Sequence, residues 1–308
     1  MTFNESLPID PGRASSGGGP GRGSKLALGG GAGSLIVLVF ALLVGGDPGS
    51  VLGEFTGAQD PGQSAEVAAG TPDHCRTGAD ANNYVDCRVV FTAQSLDAVW
   101  SQELPEQTGT AYEPPGIRLF TGGISTGCGY ATSDVGPFYC PADRTAYFDV
   151  AFFQELVDRY GATGGPLAQE YVVAHEVGHH IQTLLGDIGR AQQDPRGPES
   201  GAVRTELQAD CYAGIWAHYA DKTPAPGADT PFLQPLTDTD IQDALSAASA
   251  VGDDRIQETA HGRVNPEAWT HGASEQRQKW FLTGYRTGEV RACDTYSAAD
   301  LSSPPALR

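Results

Sequence analysis

Basic residues are scarce: 19 Lys and Arg stand against 38 Asp and Glu, a formal charge of -19 over 308 residues. Phosphate binding needs clustered Lys and Arg that displace counterions, so a nucleic-acid partner is excluded and an acidic, solvated surface remains. CxxC pairs are absent, although there are six cysteines (Cys75, Cys87, Cys128, Cys140, Cys211, Cys293). That spacing excludes a zinc knuckle, and an even count points to disulfides in an oxidising compartment. No internal repeat is present. With 40% hydrophobic residues the chain has enough apolar material for a substantial core.

Long hydrophobic runs are also rare, and the one that exists, residues 26–46, carries no charge. Twenty-one residues at about 1.5 Å each just cross a bilayer core of roughly 30 Å. Arg13, Arg22 and Lys25 precede it while Asp47 and Glu54 follow, which predicts a cytoplasmic N-terminus and an exported remainder. A signal peptide is the competing reading, and it exports the same domain, but no A-x-A cleavage pattern follows the run. The expected organisation is therefore a disordered Gly/Ser/Pro-rich cytoplasmic segment 1–25, a single-pass membrane anchor 26–46, a linker 47–73 and a folded domain 74–308.

Proline is missing from residues 167–185, and this stretch contains YVVAHEVGHHIQ, residues 171–182. Its apolar flanks predict a buried helix, with Pro166 suited to the first position and Gly186 to the stop. His175 and His179, four apart, share one helix face and can converge on one metal ion, with Glu176 beside the water that such a metal would hold. Catalytic zinc takes three protein ligands and leaves one position open. Glu206 on a second helix, 200–220, is the predicted third ligand, and Asp210 on the same face is placed to accept from the outer nitrogen of His175. His271, in a glycine-containing loop before a last helix, and Tyr139 are the candidates to stabilise an oxyanion. His180 points about 100° away from His179 and is assigned to packing, as is His218; Asp253 and Asp254 read as a helix end.

Short strands are expected at 87–92 and 116–121, a glycine-rich loop at 122–136 and a hairpin of 138–140 with 145–149. Helices are expected at 95–104, 150–160, from Thr237 or Thr239, and from Ser274. A small mixed sheet followed by helices makes an α+β domain. Six cysteines permit fifteen pairings; joining nearest neighbours gives Cys75–Cys87, Cys128–Cys140 and Cys211–Cys293, the last tying the C-terminal tail to the helix of Glu206.

Five motifs occur in order: GPFYCPAD (136–143), YVVAHEVGHHIQ (171–182), ELQADCYAGIWAH (206–218), ASAVGDDRIQ (248–257) and THGASEQR (270–277). In these the chain resembles the putative neutral zinc metallopeptidases, membrane-anchored bacterial proteins. The resemblance spans nearly the whole exported part and implies a zincin-like catalytic domain, one Zn2+ per chain and hydrolysis of protein or peptide substrates. Independently of it, substrates are expected to bind extended along a sheet edge, as added strands do, with the edge left open. Two rival readings remain at this stage: a catalytically silent zinc-stabilised scaffold, and a zinc amidase acting on cell-wall peptides. A structural zinc site has no use for Glu176, which argues against the first.

Overall fold

The computed structural model describes residues 2–18, 67–70 and 72–308. The expected anchor 26–46 and nearly all of the linker lie outside them, and no helix among the described residues is long and apolar enough to cross a membrane. The expected α+β class holds: the described residues form eight α-helices, a five-stranded mixed sheet and a separate two-stranded hairpin.

Helix α1 (Gly78–Asn83) leads into α2 (Val85–Thr108), which ends at Gly109 in the left-handed conformation, φ 74°. The strand expected at 87–92 is the first part of α2. Residues 87–93 are all buried, so the run shows neither a helical nor an alternating period, and an apolar stretch buried all round reads ambiguously. Strand β3 (Gly116–Phe120) follows, then the hairpin β4 (Gly123–Thr126) and β5 (Gly129–Thr132) within the expected glycine-rich loop. The expected hairpin forms as β6 (Phe138–Cys140) and β7 (Thr145–Asp149). Helices α3 (Phe152–Asp158), α4 (Pro166–Leu185), α5 (Gly201–Ala220), α6 (Asp238–Ala250), α7 (Asp253–His261) and α8 (Ser274–Thr287) complete the chain.

A further correction concerns residues 2–18, expected to be disordered. They form a strap that packs into the domain. Phe3 is fully buried with its ring 4.9 Å from that of Phe91, Leu7 and Ile9 are buried, and Arg13 pairs with Asp97. The strap ends as β1 (Ser15–Gly18), which pairs antiparallel with β2 (Val67–Gly70) and parallel with β3, giving the order β2-β1-β3-β7-β6. Few large apolar residues suffice here because each of Phe3, Leu7 and Ile9 enters the core, a pattern too sparse to register as periodic. Residues 2–18 and 72–308 thus pack together as one folded body.

Three disulfides join the nearest-neighbour pairs, Cys75–Cys87, Cys128–Cys140 and Cys211–Cys293, and no described cysteine is free. Cys128–Cys140 staples the β4–β5 hairpin to β6 over a small apolar cluster of Phe120, Ile124, Ala131 and Val135. Cys211–Cys293 closes the longest loop, with a separation of 82 residues.

Glu170, on α4, is fully buried; Thr2 of the strap donates its hydroxyl to one carboxylate oxygen, and the other has no hydrogen-bond partner. Burial drives its pKa up to about 7 from an ordinary 4.5, against the opposing effects of Thr2 and Arg88. Between these two values the folded chain holds a proton that the unfolded chain has lost, so stability falls as pH rises through the window. Glu170→Gln is expected to remove that fall, about 3 kcal/mol at 1.36 kcal/mol per unit, as read from urea midpoints of both proteins at pH 5 and pH 8.

Candidate active site

Helix α4 starts at Pro166 and stops at Gly186, φ 85°, as its sequence predicts. Ser200 caps α5 by accepting the Val203 N–H at 3.2 Å. The two helices cross at Gly178: a Cβ there would lie 2.9 Å from the Ala209 carbonyl oxygen, closer than real contacts permit. Glycine within the HEVGH pentad thus lets the two helices approach closely.

His175, His179 and Glu206 are brought together, the histidines buried and Glu206 with its side chain 13% exposed, with ligand atoms within 4.8 Å of one another. Nε2 of His175 is 3.2 Å from one Glu206 oxygen, and Nε2 of His179 is 3.4 Å from the other. Tetrahedral ligands with bonds of about 2.0 Å sit roughly 3.3 Å apart, so both histidine–glutamate separations suit a zinc ion. The outer nitrogens support this. Nδ1 of His175 donates to Asp210 at 2.8 Å, and Nδ1 of His179 donates to Gln182 at 2.8 Å, which turns both Nε2 lone pairs toward Glu206.

Asp210 is fully buried and is the hub of the site. Besides His175 it accepts from the Tyr171 hydroxyl and, bidentately, from Arg277 at 2.9 and 3.0 Å. Arg277 comes from α8, which lies against α5 where Gly214 and Gly284 leave no room for a Cβ. Burial alone would raise the Asp210 pKa, but Arg277 and His175 hold it below the ordinary value. Burial raises that of Glu176. Since Arg277 offsets Asp210, the buried charges of Glu206 and Glu176 are left to be balanced by a cation, as a dication in this position would do.

Glu176 and His271 line the same cleft as the donor set. Asp253 holds the His271 loop: one carboxylate oxygen accepts the backbone N–H groups of Thr270, His271 and Gly272 at 2.7, 2.7 and 3.0 Å, and the other lies 3.2 Å from His271 Nδ1. Burial would lower the His271 pKa, but Asp253 outweighs it and the net shift is upward. Tyr139 also lines the cleft, yet its hydroxyl donates to His180 Nδ1 at 2.9 Å, because His180 Nε2–H is already donated to the Glu113 carbonyl at 2.6 Å. Tyr139 is therefore a poor oxyanion donor. His180 packs away from the donor set, as predicted, and His218 bonds the Tyr285 carbonyl at 2.7 Å. His74 pairs with Asp86 at 3.0 Å beside the Cys75–Cys87 disulfide, whose sulfurs are not available as thiolate ligands.

The roles of Gln182, Arg277 and Asp253 escape the sequence reading, which took Asp253 only as a helix end. Gln182 sits three residues after His179 on the same helix, a spacing that could have flagged it. The other two act across long separations and leave no local signal.

Asp210→Asn is expected to weaken zinc affinity about 10–100-fold, measured by competition with a chelator. Arg277→Leu leaves Asp210 as an uncompensated buried charge and should lower stability by about 3–5 kcal/mol, whereas Asp210→Asn with Arg277→Leu should lower it by less than the sum of the single changes.

The model of the family described as putative neutral zinc metallopeptidase matches residues 2–296. The uncharacterized protein Rv2575 of Mycobacterium tuberculosis is 58% identical over 263 residues, 85% of this chain and 86% of the relative. The uncharacterized protein YpfJ of Escherichia coli K12 is 38% identical over 301 residues, 95% of this chain and 96% of the relative. No solved structure matches the chain. From the strap through the last helix, the chain belongs to the putative neutral zinc metallopeptidase family.

Proposed function

We propose that this protein is a zinc-dependent endopeptidase that hydrolyses peptide bonds with a water activated beside Glu176. The observation that carries the reading is the presence, in one cleft, of a three-ligand donor set, a buried carboxylate that is not a ligand, and a histidine held by Asp253. Zinc on His175, His179 and Glu206 would supply a Lewis acid that polarises a water and a substrate carbonyl. Glu176 accepts the proton of the attacking water and delivers it to the leaving nitrogen. His271, with Nδ1 engaged by Asp253, acts through Nε2 on the carbonyl oxygen that gains negative charge. Asp210 and Gln182 keep the two ligand histidines in the required tautomer.

Strand β6 is the sheet edge that supports an extended substrate. It pairs only with β7 among the described strands, and Phe138 and Tyr139 line the cleft. An edge strand offers backbone groups to a polypeptide, which favours a protein or peptide over a cell-wall amide. Three disulfides support work in an oxidising, extracytoplasmic compartment. Membrane attachment through residues 26–46 is part of the same proposal. Because β1 and β2 pair in one sheet, attachment must leave both flanks of that run on the domain's side.

Glu176→Gln should retain its zinc and lose cleavage of an unfolded protein by at least about 100-fold, with metal content and proteolysis measured on the same preparation. His271→Ala should lower kcat by about 100-fold. Equal inactivity of the wild-type and Glu176→Gln proteins, both with zinc bound, would support the silent scaffold. Cleavage of peptidoglycan fragments alone would support the amidase.

A further inference from the structure

We infer that reduction of the Cys75–Cys87 disulfide turns this corner of the fold into a second zinc site, structural rather than catalytic, with His74, Cys75, Asp86 and Cys87 as its four ligands. One ligand atom from each lies within 4.8 Å of the other three. His74 Nε2 is 3.7 Å from Cys75 Sγ and 3.0 Å from Asp86 Oδ2. Tetrahedral zinc spaces a nitrogen and a sulfur by roughly 3.6 Å, and a nitrogen and an oxygen by roughly 3.3 Å. Two thiolates on zinc stand about 3.8 Å apart, a separation that side-chain rotation supplies when the Cα atoms are 5.2 Å apart. Four protein donors close the coordination shell and leave no position for water, which is the composition of a structural site. Among the described residues, neither Cys128–Cys140 nor Cys211–Cys293 belongs to a donor group of this kind.

The surroundings favour the exchange. The other Asp86 oxygen accepts the Cys87 backbone N–H at 2.9 Å, which turns Oδ2 toward His74. Both sulfurs are buried, while the side chains of His74 and Asp86 are 53% and 26% exposed, so an ion enters from solvent past the imidazole. A dithiol reductant opens the bond: its own two sulfurs become joined, and Cys75 and Cys87 each gain a proton. Zinc then displaces both protons and balances two buried thiolates that would be costly alone. The link bears on the strap. Ile9 donates its N–H to the Arg76 carbonyl at 2.8 Å, and Gly78 donates to that of Leu7 at 2.9 Å, so the segment after Cys75 holds the strap. Cys87 lies one turn before Phe91, against which Phe3 packs. A disulfide in an oxidising compartment and zinc in a reducing one thus fasten the same two elements.

The test uses the full chain loaded with one equivalent of zinc, reduced with a phosphine and titrated with Zn2+ or Co2+. The reduced chain is expected to take up one further equivalent, and the oxidised chain none. Co2+ should develop thiolate-to-metal charge-transfer absorption, which the sulfur-free set of His175, His179 and Glu206 does not give. Reduced His74→Ala and Asp86→Ala share the loss of the other two disulfides with the reduced wild type, so the comparison reads this corner alone. Both should lose the further equivalent and its absorption. Zinc should raise the thermal midpoint of the reduced wild type but not that of reduced His74→Ala. No further uptake by the reduced wild type, equal uptake by reduced His74→Ala, or unfolding of the reduced wild type in the presence of zinc would overturn the site and leave the catalytic zinc reading standing.

Discussion

The structure depends on how closely two helices can approach. Helix α4 carries His175, Glu176 and His179, and α5 carries Glu206 and Asp210; a carboxylate on one can reach imidazoles on the other only because Gly178 presents no side chain to Ala209. The same device recurs one layer further out, where Gly214 and Gly284 bring α8 against α5 and so place Arg277 on Asp210. Three helices from distant parts of the chain are thereby held at backbone contact. Their buried polar groups meet in one network, in which nearly every donor has an acceptor. Cys211–Cys293 fastens the tail to the middle helix beside Asp210, so a covalent link reinforces the helix that supplies the third ligand.

Legibility in the sequence followed the range of the interactions. The metal helix and its ends were readable because Pro166, Gly186 and the four-residue spacing of His175 and His179 are all local. Glu206 and Asp210 were readable for the same reason, once a second helix was required. The disulfides matched nearest-neighbour pairing, where chain entropy favours short loops, although the 82-residue Cys211–Cys293 loop had only the remaining cysteines to recommend it. Residues 87–92 misled because complete burial erases the period that distinguishes helix from strand. Arg277 was hidden for a different reason. A guanidinium near a chain end ordinarily reads as surface, and its burial follows only from a partner 67 residues away.

Long-range placement also explains the division of labour among the histidines. His175 and His179 are oriented by Asp210 and Gln182, His271 by Asp253, and His180 by Tyr139 and the Glu113 carbonyl. Each has a distinct partner that fixes its ring orientation, so four imidazoles crowd one region in separate roles. Sequence adjacency is no guide here, since His179 and His180 are neighbours with unrelated roles.

The strap has a practical consequence for how the molecule can be cut. Strand β1 lies between β2 and β3 rather than at an edge, and Phe3 fills core space against Phe91 and beside the chain at Leu233. A recombinant fragment begun after the apolar run, the usual way to make a membrane-tethered ectodomain manageable, would remove an inner strand and leave β2 with no neighbour. Such a fragment would also uncover Glu170 on the metal-bearing helix. A shortened version of this protein is better made by excising the run between β1 and β2 and rejoining the ends with a short flexible loop, because the two strands already lie side by side.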